Sequence, residues 1–179
     1  MSTTQTKIPA GTWSLDPVHS TVGFEIGYLA GTFRGTFRDV QVQLDVADGP
    51  ARIVGTANVA SVDVKDENLA AHLQSPDFFD TERFAELRFV AEKVDLETET
   101  VEAPGEITIK GATKPVEVTG TLSEPITDAW GNERLGLRLE ATVDRTEFGL
   151  DWNMPLPTGD QALANTVTIR AELQLVKAA

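Results

Sequence analysis

The chain has 179 residues, 41% of them apolar and 24% charged, which is typical of one globular domain and far from the composition of a disordered chain or a membrane protein. A formal net charge of −13, with no run of Lys or Arg, disfavours a nucleic acid or an anionic membrane as partner. The sequence holds no cysteine, which excludes disulfides, thiolate catalysis and cysteine-bound metals.

The N-terminus is polar over residues 1–7 and lacks the apolar segment of a secretory signal. No stretch of the sequence approaches the roughly 18 to 20 apolar residues of a membrane-spanning helix. We therefore expect a cytoplasmic protein with no integral membrane segment. Residues 1–11 are predicted to form a disordered or extended N-terminal segment, and residues 12–179 a single domain.

Alternation of apolar and polar residues runs through most of the chain, and this period of two is typical of strands with one buried face. Turn-forming residues separate the alternating segments at 48–50, 104–105, 110–115 and 130–132. The pattern predicts about eight strands, at residues 22–28, 40–46, 53–59, 87–91, 107–109, 116–122, 134–144 and 166–175.

Eight antiparallel strands with one apolar face can pack as a sandwich or close into a barrel. Closure removes the exposed strand edges that invite aggregation. We favour an all-β, eight-stranded antiparallel barrel, with the sandwich as the alternative.

One segment breaks the alternation, between the third and fourth predicted strands. Asp66 is a candidate N-cap for a short helix over 67–74 that places Leu69 and Leu73 on one face, one turn apart. Ser75 and the proline after it should end this helix. The helix and the aromatic pair Phe78 and Phe79 are predicted to form a lid over the barrel mouth.

Small residues recur near the middle of the inward-facing rows. They leave room for a ligand in an eight-stranded barrel, or they face large residues across a packed core. A strand of about 12 residues spans about 40 Å, which is long enough for an extended hydrocarbon chain. The residues concerned are Gly55, Ala57, Ala91, Ala141 and Ala171.

The sequence offers few groups for catalysis. Its two histidines, His19 and His72, lie in no metal-binding spacing, and no nucleophile elbow or phosphate-binding glycine loop is present. We therefore predict no catalytic residue, no metal and no cofactor. The alternative hypothesis is an enzyme for an apolar substrate, with His19 and His72 as acid/base groups inside the barrel.

Several motifs, in order along the chain from about Trp13 to Val176, resemble the YceI-like family. The most specific are HLQSPDFFD at residues 72–80 and GATKPV at 111–116; DPVHS at 16–20, ASVD at 60–63 and DRTEFG at 144–149 accompany them. The resemblance implies an extended lipocalin-like barrel that holds a polyisoprenoid chain or a related amphiphile such as a quinone. It also implies a homodimer, and many relatives are exported.

By the same resemblance, twelve residues are expected to line the ligand pocket. Tyr28 stands where many relatives carry a histidine or a basic pair, so the ligand's head group is expected to differ. Each aromatic residue of the set could instead belong to an ordinary core. The set is Phe24, Tyr28, Phe33, Phe37, Leu69, Leu73, Phe78, Phe79, Phe89, Phe148, Trp152 and Met154.

Overall fold

The computed structural model describes residues 8–178. Within them are twelve strands joined in one antiparallel sheet, a single α-helix and two short 3₁₀ turns. The strands are β1 (Gly11–Leu15), β2 (Thr21–Tyr28), β3 (Gly31–Phe37), β4 (Val40–Val46), β5 (Ala51–Asn58), β6 (Val62–Asp63), β7 (Glu86–Val94), β8 (Thr100–Ile109), β9 (Ala112–Leu122), β10 (Ile126–Thr127), β11 (Glu133–Asp144) and β12 (Leu163–Lys177); the helix is α1 (Glu67–Gln74).

The sheet closes on itself as an eight-stranded antiparallel barrel. Its ring runs β11–β9–β8–β7–β5–β4–β1–β12 and returns to β11. The closing ladder is long, from Arg134 opposite Val176 to Asp144 opposite Thr166. The barrel prediction is confirmed, and the sandwich is not formed.

β1 and β2 are two parts of one interrupted strand, because both pair with β12 in succession. Leu15 lies opposite Leu175 and Thr21 opposite Glu172, so residues 16–20 form a bulge against only two residues of β12. Pro17 has no N–H to donate to a ladder, which favours the interruption at this point. β3 and β6 extend the sheet from the outer edge of β2.

The eight predicted strands correspond to β2, β4, β5, β7, β8, β9, β11 and β12. The alternation did not reveal β1, β3, β6 and β10. β6 and β10 have two residues each. β1 has only five residues. β3 contains two glycines and two threonines, so its sequence lacks the clear apolar–polar alternation that would distinguish a strand from a loop.

The helix forms as predicted. The Asp66 carboxylate accepts a hydrogen bond from the Leu69 N–H at 3.0 Å, and the chain leaves the helix at Ser75, whose hydroxyl donates to the His72 carbonyl. Its eight residues make α1 much too short to cross a bilayer, and the part of the chain that the structure describes holds no helix long and apolar enough to do so.

The predicted turn at residues 104–105 is wrong, because both residues lie inside β8. A Cβ on Gly105 would stand 2.3 Å from the Val90 carbonyl oxygen and 2.9 Å from a ring carbon of Phe89. The glycine is therefore explained by the close approach of β7, which presses the Phe89 ring against β8.

Candidate functional site

One half of the barrel is solid. Trp13, Leu44, Val101, Leu135 and Leu175 are almost completely buried, and they fill the end that carries β1 and the C-terminal part of β12. This packed layer blocks that end of the lumen, which we call the closed end.

The other half contains a cavity of about 450 Å³. This volume lies in the usual range for small-molecule sites, about 300 to 1,000 Å³. Four of the five small residues singled out in the sequence, Gly55, Ala57, Ala141 and Ala171, line it, whereas Ala91 is buried outside its wall. Four of the small residues therefore leave room for a ligand, as one interpretation predicted. Ala91 belongs to the packed core, as the other predicted.

The cavity reaches solvent at the end opposite the packed layer, where its wall includes side chains that are only partly covered. Tyr28, which is 39% exposed, pairs with Leu163 at the start of β12. Leu69 and His72 of α1 are half-buried cavity residues, and so is Trp152 in the loop between β11 and β12. We call this region the mouth.

Four phenylalanines form a cluster on one wall. Phe24 lies 6.0 Å from Phe33, 5.8 Å from Phe37 and 6.5 Å from Phe79, measured between ring centroids. Gly35 on β3 makes room for this packing, because a Cβ there would stand 2.7 Å from the Phe24 ring. Phe79 therefore packs onto the wall of β2 and β3 and covers the cavity from the side of α1.

A second cluster, built around His72 of α1, also lies at the mouth. The His72 ring meets Trp152 edge-on at 4.7 Å and Phe78 at 5.0 Å, and its Nε2 lies 3.0 Å from the Asp77 carboxylate. Lys110 Nζ donates to the carbonyls of Pro76, at 2.7 Å, and Gly149. The β8–β9 hairpin thereby holds both segments that cover the cavity.

Arg145 and Asp80 are the two buried charged side chains within residues 8–178, and Arg145 lines the cavity. Its guanidinium donates to the carbonyls of Ala164, Leu150 and Trp152 and, more distantly, to the Asn165 amide oxygen. Burial lowers the pKa of the Arg145 guanidinium from its usual value. The side chain fixes the loop between β11 and β12 that supplies Trp152. Arginine side chains are usually exposed, so residue type alone does not predict this burial. The signal for a special role at this position was its place in the DRTEFG motif.

The hypothetical His19 and His72 acid/base pair does not form. His19 lies in the bulge between β1 and β2 at the closed end, 61% exposed, with its Nδ1 2.8 Å from Asp16. It is absent from the cavity wall, which His72 lines. Among residues 8–178, no three His, Asp or Glu side chains cluster in a way that could hold a metal ion.

Eleven of the twelve expected pocket residues line the cavity; that they contact a ligand stays a prediction. The exception is Met154, which is 41% exposed and lies outside the cavity wall. Its carbonyl accepts a hydrogen bond from Ala162, so this segment runs along the outer rim of the mouth. The resemblance did not identify several further cavity residues, among them Leu150, Leu163, Val167 and Ile169.

Comparison with known proteins gives a consistent result. The model of the YceI-like domain matches residues 13–175. UPF0312 proteins from Staphylococcus epidermidis and Staphylococcus aureus are 31% identical over 170 residues, covering 90% of this chain and 95% of theirs.

Two solved structures show the same fold at low identity. BcnA of Burkholderia cenocepacia aligns with a TM-score of 0.77 at 21% identity, over 89% of this chain and 98% of that one. A polyisoprenoid binding domain from Saccharophagus degradans, implicated in plant cell wall breakdown, aligns with a TM-score of 0.73 at 13% identity, over 93% and 98%.

Proposed function

The chain belongs to the YceI-like domain family, and on that premise we propose that it binds a long apolar isoprenoid-type lipid in the barrel lumen, for storage or transport. The observation that carries the proposal is the cavity of about 450 Å³, lined mostly by apolar side chains and closed at one end. The polyisoprenoid binding domain of Saccharophagus degradans, which shares the fold, supports the ligand class.

The energetics favour an apolar chain as the ligand. Each buried CH₂ contributes roughly 0.8 kcal/mol, so a dozen of them offset an association cost of about 4 to 15 kcal/mol. The walls offer few polar groups to discriminate between ligands of equal length. Affinity is therefore expected to come from the tail, and a polyprenol, a polyprenyl phosphate and a quinone all fit the proposal.

We propose binding rather than catalysis. An acid and a base must both reach the same substrate atoms, within hydrogen-bonding distance or through one water. His72 faces the cavity, but His19 lies outside it beside Asp16. The pair considered in the sequence thus gives no support to an enzyme.

The test is to extract the purified protein with organic solvent and to analyse the extract by mass spectrometry. We expect a long-chain isoprenoid lipid in near-stoichiometric amount. If the extract is clean, added polyprenols or quinones should raise the melting temperature, because a ligand that binds only the folded state stabilises it. A clean extract together with an unchanged melting temperature would refute the proposal.

We also propose a homodimer located in the cytoplasm. Two-fold dimers are the commonest symmetric assembly. Light scattering at micromolar concentration should give about twice the chain mass, and a mass near 19.4 kDa would contradict the dimer.

A further inference from the structure

The rim of the mouth is unusually poor in charge along one side. Residues 26–33, which span the β2–β3 turn, and residues 152–159, in the loop before β12, contain no Asp, Glu, Lys or Arg. In a chain with 24% charged residues, two such segments of eight would be expected to hold about four charges between them. We call these two segments the uncharged rim.

The two segments are neighbours in space. The Leu29 N–H donates to the Ala162 carbonyl at 2.9 Å, and the Ala162 N–H donates to the Met154 carbonyl at 2.9 Å. Tyr28, Leu29 and Met154 are 39%, 57% and 41% exposed. The rim therefore exposes three large apolar or aromatic side chains on segments that are joined through Ala162.

Leu29 has a backbone conformation that is unfavourable for leucine. Its φ is +50°, in the left-handed region that favours glycine or asparagine. A leucine here adds little burial to the fold and introduces strain. An exposed, strained apolar residue indicates a role other than stability.

The rim is continuous with the cavity, because Tyr28 belongs to both. An apolar ligand crosses this boundary on entering or leaving, and a lipid surface touching the rim would spare it a passage through water. The acidic chain repels anionic surfaces, so the contact suits a bilayer without net charge. Charge returns at the residues that flank the two segments, which are Glu25, Arg34, Asp151 and Asp160.

We propose that the uncharged rim docks the barrel onto the surface of an electrically neutral lipid bilayer, with Leu29 and Met154 inserted among the lipid headgroups. This docking rests on the proposed function, since it explains how an insoluble lipid reaches the cavity. It is a contact by insertion of apolar side chains, as in other proteins that lie on a membrane without crossing it.

The experiment is flotation of the purified full chain with phosphatidylcholine vesicles. We expect the wild type to float with the vesicles, to do so equally in high salt, and to bind less to vesicles containing phosphatidylserine. Leu29→Asn should reduce the bound fraction about tenfold, because a buried leucine contributes strongly to partition. Its melting temperature should stay the same or rise, because asparagine tolerates the left-handed conformation.

The matched control is Trp130→Ser. Trp130 is 81% exposed in the turn between β10 and β11 at the closed end, so its removal should leave flotation unchanged. The proposal is overturned if the wild type does not float, if Trp130→Ser loses as much binding as Leu29→Asn, or if high salt abolishes binding. The last result would indicate an electrostatic contact, and absence of flotation would leave a protein partner as the occupant of the rim.

Solvent extraction separates this proposal from the proposed function. An extract that contains an isoprenoid lipid, with no flotation, would leave the binding function standing and refute the docking. A clean extract without thermal stabilisation, combined with rim-dependent flotation, would refute lipid storage and leave the docking surface in place.

Discussion

Arg134 and Asp16, 118 residues apart in the sequence, are joined by a hydrogen-bonded ion pair of 2.7 Å between Nη1 and Oδ2. Arg134 Nε makes a second pair, also of 2.7 Å, with Asp128. One guanidinium thus ties the bulge between β1 and β2 to the turn between β10 and β11. The two loops that cover the closed end are held together by this contact.

The first prediction follows from these pairs. The Arg134 guanidinium holds the pKa of Asp128 at about 2, below the ordinary 3.8, and holds that of Asp16 well below its usual range. Carboxyls with lowered pKa stabilise the fold above their unfolded pKa, and this stabilisation is lost as the pH falls through the folded value. The melting temperature of the wild type should fall steeply below about pH 4. In Asp128→Asn the decline should be shallower, whereas Asp48→Asn, in the exposed β4–β5 turn, should follow the wild type.

The second prediction concerns the lumen. Ala141→Phe places a ring in the cavity and should abolish lipid retention with little loss of stability, because the ring fills existing space. Thr142→Phe, one residue further on the outer face, should retain the lipid. Mass spectrometry of solvent extracts from both variants makes the comparison. Equal lipid content in the two variants would show that the ligand lies elsewhere.

The third prediction compares two adjacent residues of the lid. Phe79 is half-buried and packs onto the cavity wall, whereas Phe78 is buried between His72 and Trp152. Phe79→Ala should raise the rate of lipid release clearly and lower the free energy of unfolding only a little. Phe78→Ala should cost about 3 to 5 kcal/mol of the free energy of unfolding. Melting curves and rates of lipid release, measured on both variants, distinguish a lid residue from a core residue. A large loss of stability with unchanged lipid release in Phe79→Ala would place Phe79 in the core.

The fourth prediction concerns Arg145, which is 4% exposed. Arg145→Met leaves three backbone carbonyls without their donor and should lower the free energy of unfolding by about 3 kcal/mol or more. Arg38→Met, which removes an exposed ion pair with Asp63, should cost about 1 kcal/mol or less. Denaturant unfolding of both variants measures the difference. Similar losses would mean that water replaces the guanidinium at the loop carbonyls.

The sequence predicted most of the barrel, because a wall that is wet outside and apolar inside imposes alternation on every long strand. It did not reveal β1, where Trp13 fills the closed end, since five residues carry too little periodicity. Nor did it predict the burial of Arg145, because this burial depends on the loop between β11 and β12, whose carbonyls accept hydrogen bonds from the guanidinium. Met154 was assigned to the pocket by position, but its side chain lies on the outer rim.

The packed layer around Trp13 also limits how a bound lipid could pass from a donor to an acceptor. A tube blocked at one end empties through the same opening by which it was filled, and an extended lipid held there keeps its first-entered end deepest. Such a protein cannot conduct a molecule through its body in the manner of a channel. A barrel of this shape that carried a lipid would have to take it up and release it through the same opening. Donor and acceptor would compete for that opening, and the protein would have to leave the first before it met the second.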